Sequence, residues 1–436
     1  MMKLFKVLIL SSLFVAGCIP AHSEVWTLDS CVSYATRHNV TIRQQQLNVS
    51  QGELAITEAK DRFLPSIDGS ASQSFNFGRG LTAENTYANR NTSSTQWNIG
   101  LSLPLFQGMS EYSRLKIARL SLTQYLYEVE AAKENLSLNV IAQYLQVLYC
   151  KEVEKTAQSQ LELSAFEVER QKALIEAGKV AEATLYDLES VAAQDRLQLI
   201  TAQNDTRTAL VNLTNLLQLK EMENFDVAPL EESDPPLPDP EAVYASALGS
   251  NGSIQGARQG VVVANENIFY AKTGYIPTLS FNAGLGSSYY TVAGMPNQGF
   301  GAQMRNNFST YLGFSLRIPI FDGFNTRNSI RRAKLQKLNA DLQLEQREID
   351  LYKEIRLAYY QASGARERFH TSSETLEKAQ LSFDSTRERF NLGRATQADY
   401  EQAKNNLFRT QINRIQALYE FLIRNKILQF YSKGSL

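Results

Sequence analysis

Two rhythms alternate along this chain. Short stretches switch between apolar and polar residues at every position, and the long stretches between them repeat apolar residues at steps of three, four and seven. "QWNIGLSLPLF" puts Trp97, Ile99, Leu101, Leu103 and Leu105 on one face, with Gln96, Asn98, Gly100 and Ser102 on the other. "FSTYLGFSLRI" sets Phe308, Leu312, Phe314, Leu316 and Ile318 against Ser309, Gly313, Ser315 and Arg317. "TLSFNAGLGSSY" offers Leu279, Phe281, Ala283 and Leu285 on one side, and "SASQSFNFG" more weakly offers Ala71, Phe75 and Phe77. Period two over about ten residues predicts strands with one apolar face, as in a membrane β-protein or a half-buried soluble sheet. The stepping of Leu376, Ala379, Phe383 and Phe390, and of Leu335, Leu338, Leu342 and Ile349, predicts coiled-coil seams on long helices.

The plan is written twice. "FLPSI" at 63–67 returns as "YIPTL" at 275–279, and "LPLFQG" returns as "IPIFDG". Pro104 and Pro319 stand 215 residues apart, as do Gly108 and Gly323, and Gly178 and Gly393. Each half reads helix, strand, polar loop, strand, long helix, glycine turn, second long helix. The first half covers 24–220, with strands about 66–77 and 96–105 and helices about 108–177 and 182–219. The second covers 241–436, with strands about 278–290 and 308–318 and helices about 323–391 and 395–431. Between them, 221–240 is an acidic, proline-rich linker. No proline falls between Pro104 and Pro229 or after Pro319. The 70 residues from Gly108 to Gly178, and again from Gly323 to Gly393, would make helices roughly 100 Å long.

Export decides between the two sheet readings. "MMKLFKVLILSSLFVAGC" has Lys3 and Lys6 before an apolar run, the layout of a signal peptide over 1–23. Ala21-His22-Ser23 fits a cleavage site, while Val15-Ala16-Gly17-Cys18 fits a lipoprotein box. The first is preferred on reach. A helix from Leu28 to about Arg62 would rise roughly 50 Å towards the first strand. The ten residues from Cys18 to Leu28 span at most about 35 Å. No later stretch reaches 18 apolar residues, so an exported chain with such strands, ending in Trp97, Phe106, Phe308 and Phe321, points to a membrane sheet. Four strands cannot close a barrel, and open edges in lipid are costly, so two, three or four copies must complete it.

Composition removes other functions. The 436 residues are 43% apolar with a formal charge of −1, which gives no basic field for nucleic acid. His38 and His370 lie far from any Cys or carboxylate cluster, so neither metal site nor cofactor is expected. "AGKVAEAT" lacks the earlier glycine of a phosphate loop, and no serine elbow occurs, so no catalytic residue is assigned. Cys31 and Cys150 read as two buried small residues, though an oxidising compartment would let them pair if they were within reach. The run Arg327, Arg331, Arg332, Lys334 and Lys337 reads first as a solvated helix face, and otherwise as a group under the headgroups or facing a tunnel.

The duplicated strand–helix plan, the "FLPSI" and "IPIFDG" junctions and the paired glycine turns together resemble the TolC-like outer-membrane efflux protein family. The likeness runs from Trp26 to about Tyr431, and "WTLDSCVSYATRHN" is similar to the family's first helix. The resemblance implies a homotrimer in outer-membrane lipid, with a 12-stranded barrel continuing into a 12-helix periplasmic tunnel. It implies a passive conduit for efflux or type I secretion. Its partners would be a periplasmic adaptor (membrane fusion) protein and a proton-driven or ATP-driven inner-membrane pump.

The same resemblance places the adaptor-docking tip at Gly178, Lys179 and Val180 and at Gly393, Arg394 and Ala395. It places the periplasmic gate at Asp399, Gln402, Thr396, Thr184 and Asp187. Gln402 stands where the family often has a second Asp, and Ala395 where some members carry a basic latch. The strand-to-helix junctions are Pro104, Phe106 and Gly108, and Pro319, Phe321 and Gly323: proline ends the ladder, the aromatic marks the interface, and glycine turns the chain. A non-pore coiled-coil protein of the envelope and a periplasmic adaptor subunit are the alternatives, and two hairpins with lipid-type strands speak against the adaptor.

Overall fold

The computed structural model describes residues 25–81, 85–219, 225–230 and 234–433. Both cleavage readings, Cys18 and parts of the proline-rich seam lie outside these residues. In chain order the elements are β1 (Val25–Trp26), α1 (Leu28–His38), α2 (Val40–Asp61), β2 (Ser66–Asn76), β3 (Arg79–Leu81), β4 (Tyr87–Asn89), β5 (Thr92–Gln107), α3 (Ser110–Glu176) and α4 (Ala183–Leu217). There follow β6 (Asp226–Val227), α5 (Pro240–Ser250), α6 (Gly252–Lys272), a 3-10 turn (Thr273–Tyr275), β7 (Thr278–Val292), α7 (Phe300–Asn306), β8 (Ser309–Arg317), α8 (Asn325–Asn391) and α9 (Gln397–Lys433). Among the described residues no helix is long and apolar enough to cross a membrane.

The chain forms two compact units. One comprises the described residues within Val40–Leu138, Leu237–Ser363 and Arg424–Leu436, and the other those within Met1–Asn39, Asn139–Pro236 and Gly364–Ile423.

The first of these units carries an antiparallel sheet in the order β2-β5-β7-β8. Its register sorts the two faces. Ile67 stands opposite Leu101, Leu101 opposite Ala283, Phe281 opposite Phe314 and Leu279 opposite Leu316. On the other face Ser70 meets Asn98, Asn98 meets Gly286, and Gly284 meets Tyr311. Because side chains alternate at period two, this register puts Ile67, Ile99, Leu101, Leu279, Leu285, Leu312 and Leu316 on one side, with Val292 on the other. Most of that apolar face is uncovered: Ile67, Leu312, Phe314 and Leu316 are all more than half exposed. In the helical part of the unit, Val243 and Ala247 of α5, Ile254 of α6, Leu351, Ile355, Ala358 and Ala362 of α8, and Leu428 of α9 share one core.

In the second unit β1 and β6 pair in parallel, with the Tyr144 hydroxyl 2.7 Å from Ala228 O. Ala379, Phe383, Tyr400 and Leu407 cluster between α8 and α9, and Ala157, Leu199 and Ala202 between α3 and α4. Cys31 and Cys150 are both free and buried, and burial pushes the Cys31 thiol up to about 12.

Four details depart from the sequence reading. The single opening helix is broken at Asn39, which takes extended backbone (ψ 133°) and donates its side-chain amide to Leu216 O at 3.1 Å. The straight 50 Å rise used for the lipid argument is therefore not one helix. The second half breaks likewise at Asn251, whose Oδ1 caps Ile254 N at 3.1 Å. Asparagine competes for the backbone with its own side chain, which suits caps better than helix interiors. Pro104 does not end its ladder, because β5 runs to Gln107 with a bulge between Pro104 and Phe106. The last β2 partner is Ser102, so past it Pro104 has a neighbour on one side only, where a missing N–H is tolerated. That bulge also removes Leu105 from the apolar face and sets Phe106 opposite Leu279 instead. Finally, the two seams on α8 differ. Ala379 and Phe383 are buried, whereas Leu335, Leu338, Leu342 and Ile349 are each more than half exposed.

Candidate functional site

Each long hairpin turns on a glycine. At the end of α3, Gly178 takes φ +71°, Lys179 N donates to Leu174 O at 3.0 Å, and Gly178 N donates to Ile175 O at 2.8 Å. At the end of α8, Gly393 repeats φ +71°, with Arg394 N to Arg389 O at 2.7 Å and Gly393 N to Phe390 O at 2.9 Å. The six-to-one and five-to-two bonds make both turns Schellman caps, which satisfy carbonyls that a helix end would otherwise leave open. A Cβ at either glycine would meet nothing within 4 Å, so the demand is on φ and not on space. Lys179, Val180, Leu392 and Arg394 are exposed, and Ala395 is half-buried.

The acidic candidate is engaged at home. Thr396 precedes α9, and its backbone N donates to Asp399 Oδ2 at 2.9 Å while its hydroxyl donates to the same oxygen at 2.7 Å. Asp399 N returns a bond to Thr396 Oγ1 at 3.1 Å, which closes a capping box. The Thr396 backbone bond first, then its hydroxyl, holds the Asp399 carboxyl below its usual range. In the first turn Thr184 donates to Ala181 O at 2.9 Å and accepts from Gln171 Nε2 of α3. Asp187 and Gln402 are exposed. Thr396 and Asp399 are thus brought together, while Thr184 is tied across its own turn.

About one helical turn beyond Asp399 lies a buried polar cluster that the sequence reading missed. Lys404, 1% exposed, puts Nζ 2.7 Å from Glu401 Oε2 and donates to Ser164 Oγ of α3 at 3.0 Å. Ser164 donates in turn to buried Asp195 of α4. Beside them the Tyr400 hydroxyl donates to Glu167 Oε1 at 3.3 Å, and Arg170 pairs with Glu167 Oε2 at 3.3 Å. Burial, then the neighbouring Glu167 charge, drives the Tyr400 phenol upward. A signal existed. Asp195 falls in the apolar series Leu188, Leu199, Ala202, Thr206, and Lys404 sits between Tyr400 and Leu407, so both charges occupy core positions of a coiled coil.

The strand-to-helix junctions lie in the unit that carries the sheet. Gly108 and Met109 both take positive φ (+59° and +67°), and so do Gly323 and Phe324 (+65° and +64°). Two successive left-handed residues reverse the chain before each long helix, and the second of each pair is an ordinary L-residue, costly there. Pro319, unlike Pro104, does fall beyond its ladder, which ends at Arg317. Glu266 of α6 anchors the start of α3, accepting from Ser113 at 3.0 Å and pairing with Lys116 at 2.8 Å. Among the described residues no three His, Cys, Asp or Glu side chains converge as a metal would need.

An exported-type sheet with one bare apolar face, joined by left-handed corners to 67-residue helices, defines an outer-membrane protein of the channel class. The model of the outer membrane efflux protein family matches residues 32–218 and 243–431, and the chain belongs to that family. Its members are channel proteins and not enzymes. The chain is 23% identical to outer membrane efflux protein BepC of Brucella suis, over 98% of this chain and 90% of that protein. It is 24% identical to outer membrane protein TolC of Escherichia coli, over 97% and 85%. Its fold is similar to the solved CusC structure, with a TM-score of 0.76 and 16% identity over 94% of this chain and 92% of that one. The protein is located in the outer membrane.

Proposed function

We propose that this chain is the outer-membrane channel of a tripartite efflux or type I secretion system. Three copies form a passive conduit that a periplasmic adaptor opens and an inner-membrane pump drives. One observation carries the reading: a four-stranded sheet, apolar on one face and polar on the other, whose outer strands β2 and β8 have no further strand partner among the described residues. In hydrocarbon those edges would leave a row of unpaired N–H and C=O groups at several kcal/mol each. β8 of one copy meeting β2 of the next removes them, and three copies give a closed ring of 12 strands lined by Ser, Asn and Gly. The seam of Leu335, Leu338, Leu342 and Ile349 supports the same assembly, because each of these side chains stays more than half exposed among the described residues.

In this assembly the two sequence halves, 24–220 and 241–436, act as equivalent strand–hairpin repeats joined by the acidic seam. The twin turns at Gly178, Lys179, Val180 and at Gly393, Arg394, Ala395 form the tip that meets the adaptor. Asp399 supplies a ring of three carboxylates at the constriction, with Thr396, Gln402, Thr184 and Asp187 around it. The test is extraction from outer membranes: a heat-resistant species of three chains that conducts in planar bilayers is expected. A soluble monomer without conductance would overturn the reading.

A further inference from the structure

The four cations at the start of α8 have no acid to meet. Arg327, Arg331, Arg332 and Lys334 are exposed, and among the described residues none has a carboxylate within ion-pair distance. Only at Lys337, 2.6 Å from Asp341, does pairing begin. Between Arg317 and Lys334 the single acid is Asp322, whose carboxylate accepts Thr326 N at 2.7 Å. The matching positions of the first half are Tyr112, Lys116, Ile117 and Arg119. There Lys116 is neutralised by Glu266. Among the described residues, Arg119 is the one cation of these first-half positions without an ion pair, against four at the second junction.

What precedes the cations gives them a direction. After β8 the chain passes Ile320, 94% exposed, and Phe321, 74% exposed. Phe321 meets Phe324 edge-on with centroids 5.3 Å apart, and the Arg327 guanidinium lies 4.3 Å from the Phe324 ring centroid. Contact thus runs from Phe321, four residues past the end of β8, through Phe324 to the first cation. Arg331 and Lys334 follow Arg327 at four and seven residues, on one flank of the helix. From Asn325 to Lys334 the helix rises about 14 Å. An apolar rim followed within that distance by unpaired guanidinium and ammonium groups complements acyl chains and then phosphates.

We infer that Arg327, Arg331, Arg332 and Lys334 form a cationic collar that binds the phosphates of anionic phospholipids in the periplasmic leaflet of the outer membrane. The inference rests on the apolar sheet face meeting lipid, and not on the conduit reading. Guanidinium groups suit the role, because they present forked donors to phosphate and are weakly hydrated.

The test uses the full chain in nanodiscs of phosphatidylcholine, with and without phosphatidylglycerol, and counts by mass spectrometry the lipids retained on mild extraction. Phosphatidylglycerol should be enriched roughly tenfold over its share of the bilayer, with the enrichment falling as salt rises. The R327Q/R331Q/K334Q variant should lose that enrichment while keeping its helical circular dichroism and its oligomer. Equal retention by this variant would overturn the collar. So would competition by inorganic phosphate beyond that of chloride at matched ionic strength, which would mark a free-anion site. A variant with intact lipid enrichment but altered ion selectivity would place the cations on a tunnel wall instead. Failure of the wild-type chain to insert would overturn the sheet reading together with the collar.

Discussion

Gly178 and Gly393 show how little freedom a hairpin turn leaves. Both sit at φ +71° in open space, so an alanine would clash with nothing yet would be held in a left-handed conformation. Gly393→Ala is expected to cost about 1–2 kcal/mol, and Gly393→Asn less, as read from denaturant unfolding. Met109 and Phe324 carry the same conformation without glycine. The glycine beside each was legible in the sequence, but the second left-handed residue was not, because Met and Phe advertise no such preference. Asp399 has two duties, a cap within its own turn and, in the proposed trimer, a charge on the pore. Asp399→Asn should reduce cation selectivity in bilayer conductance, and unchanged selectivity would remove it from the gate. The carboxyl lies below its usual range, so its charge is present at neutral and mildly acidic pH and is lost only as pH falls through the lowered value. Selectivity should hold from neutrality through mildly acidic pH and be lost only below the ordinary aspartate range.

Among elements, the helices and strands were largely readable because their periods were uninterrupted. Breaks and bulges were not. Asn39 and Asn251 stop helices that periodicity alone would continue, and they do so through bonds to Leu216 O and Ile254 N. The bulge at Pro104 exchanges Leu105 for Phe106 on the apolar face, and since both are apolar no pattern could distinguish the two registers. The Lys404 cluster binds α9 to α3 and continues through Ser164 to α4. Its charges stand at core positions of the helical repeat, and the sequence reading did not single them out. Lys404→Met should destabilise by about 3–5 kcal/mol, because Glu401 would stay buried without its cation. The Lys404→Met/Glu401→Gln double variant should recover more than half of that loss. A double-mutant cycle by chemical unfolding measures the coupling.

For the whole molecule, what the chain leaves uncovered matters as much as what it buries. Leu338 and Leu342 are each more than half exposed on a helix whose other seam, at Ala379 and Phe383, is closed by the chain's own α9. Leu338→Glu/Leu342→Glu is therefore expected to abolish the heat-resistant oligomer in gel electrophoresis and light scattering. The helical circular dichroism of the chain should change little. A variant that remained fully oligomeric would show that the seam is not part of the assembly.

The sequence by itself determined the duplicated plan, the period of every long element, the apolar face of each strand and the two glycine turns. These are local matters, set by side-chain spacing and by which residues tolerate left-handed backbone. Only the tertiary structure decided which of two identical-looking seams is buried, where Asn39 and Asn251 interrupt their helices, and that Lys404, Ser164 and Asp195 meet. The reason is physical: whether an apolar or charged side chain is covered depends on a partner far away in the chain, and one segment's pattern does not carry its neighbour's position.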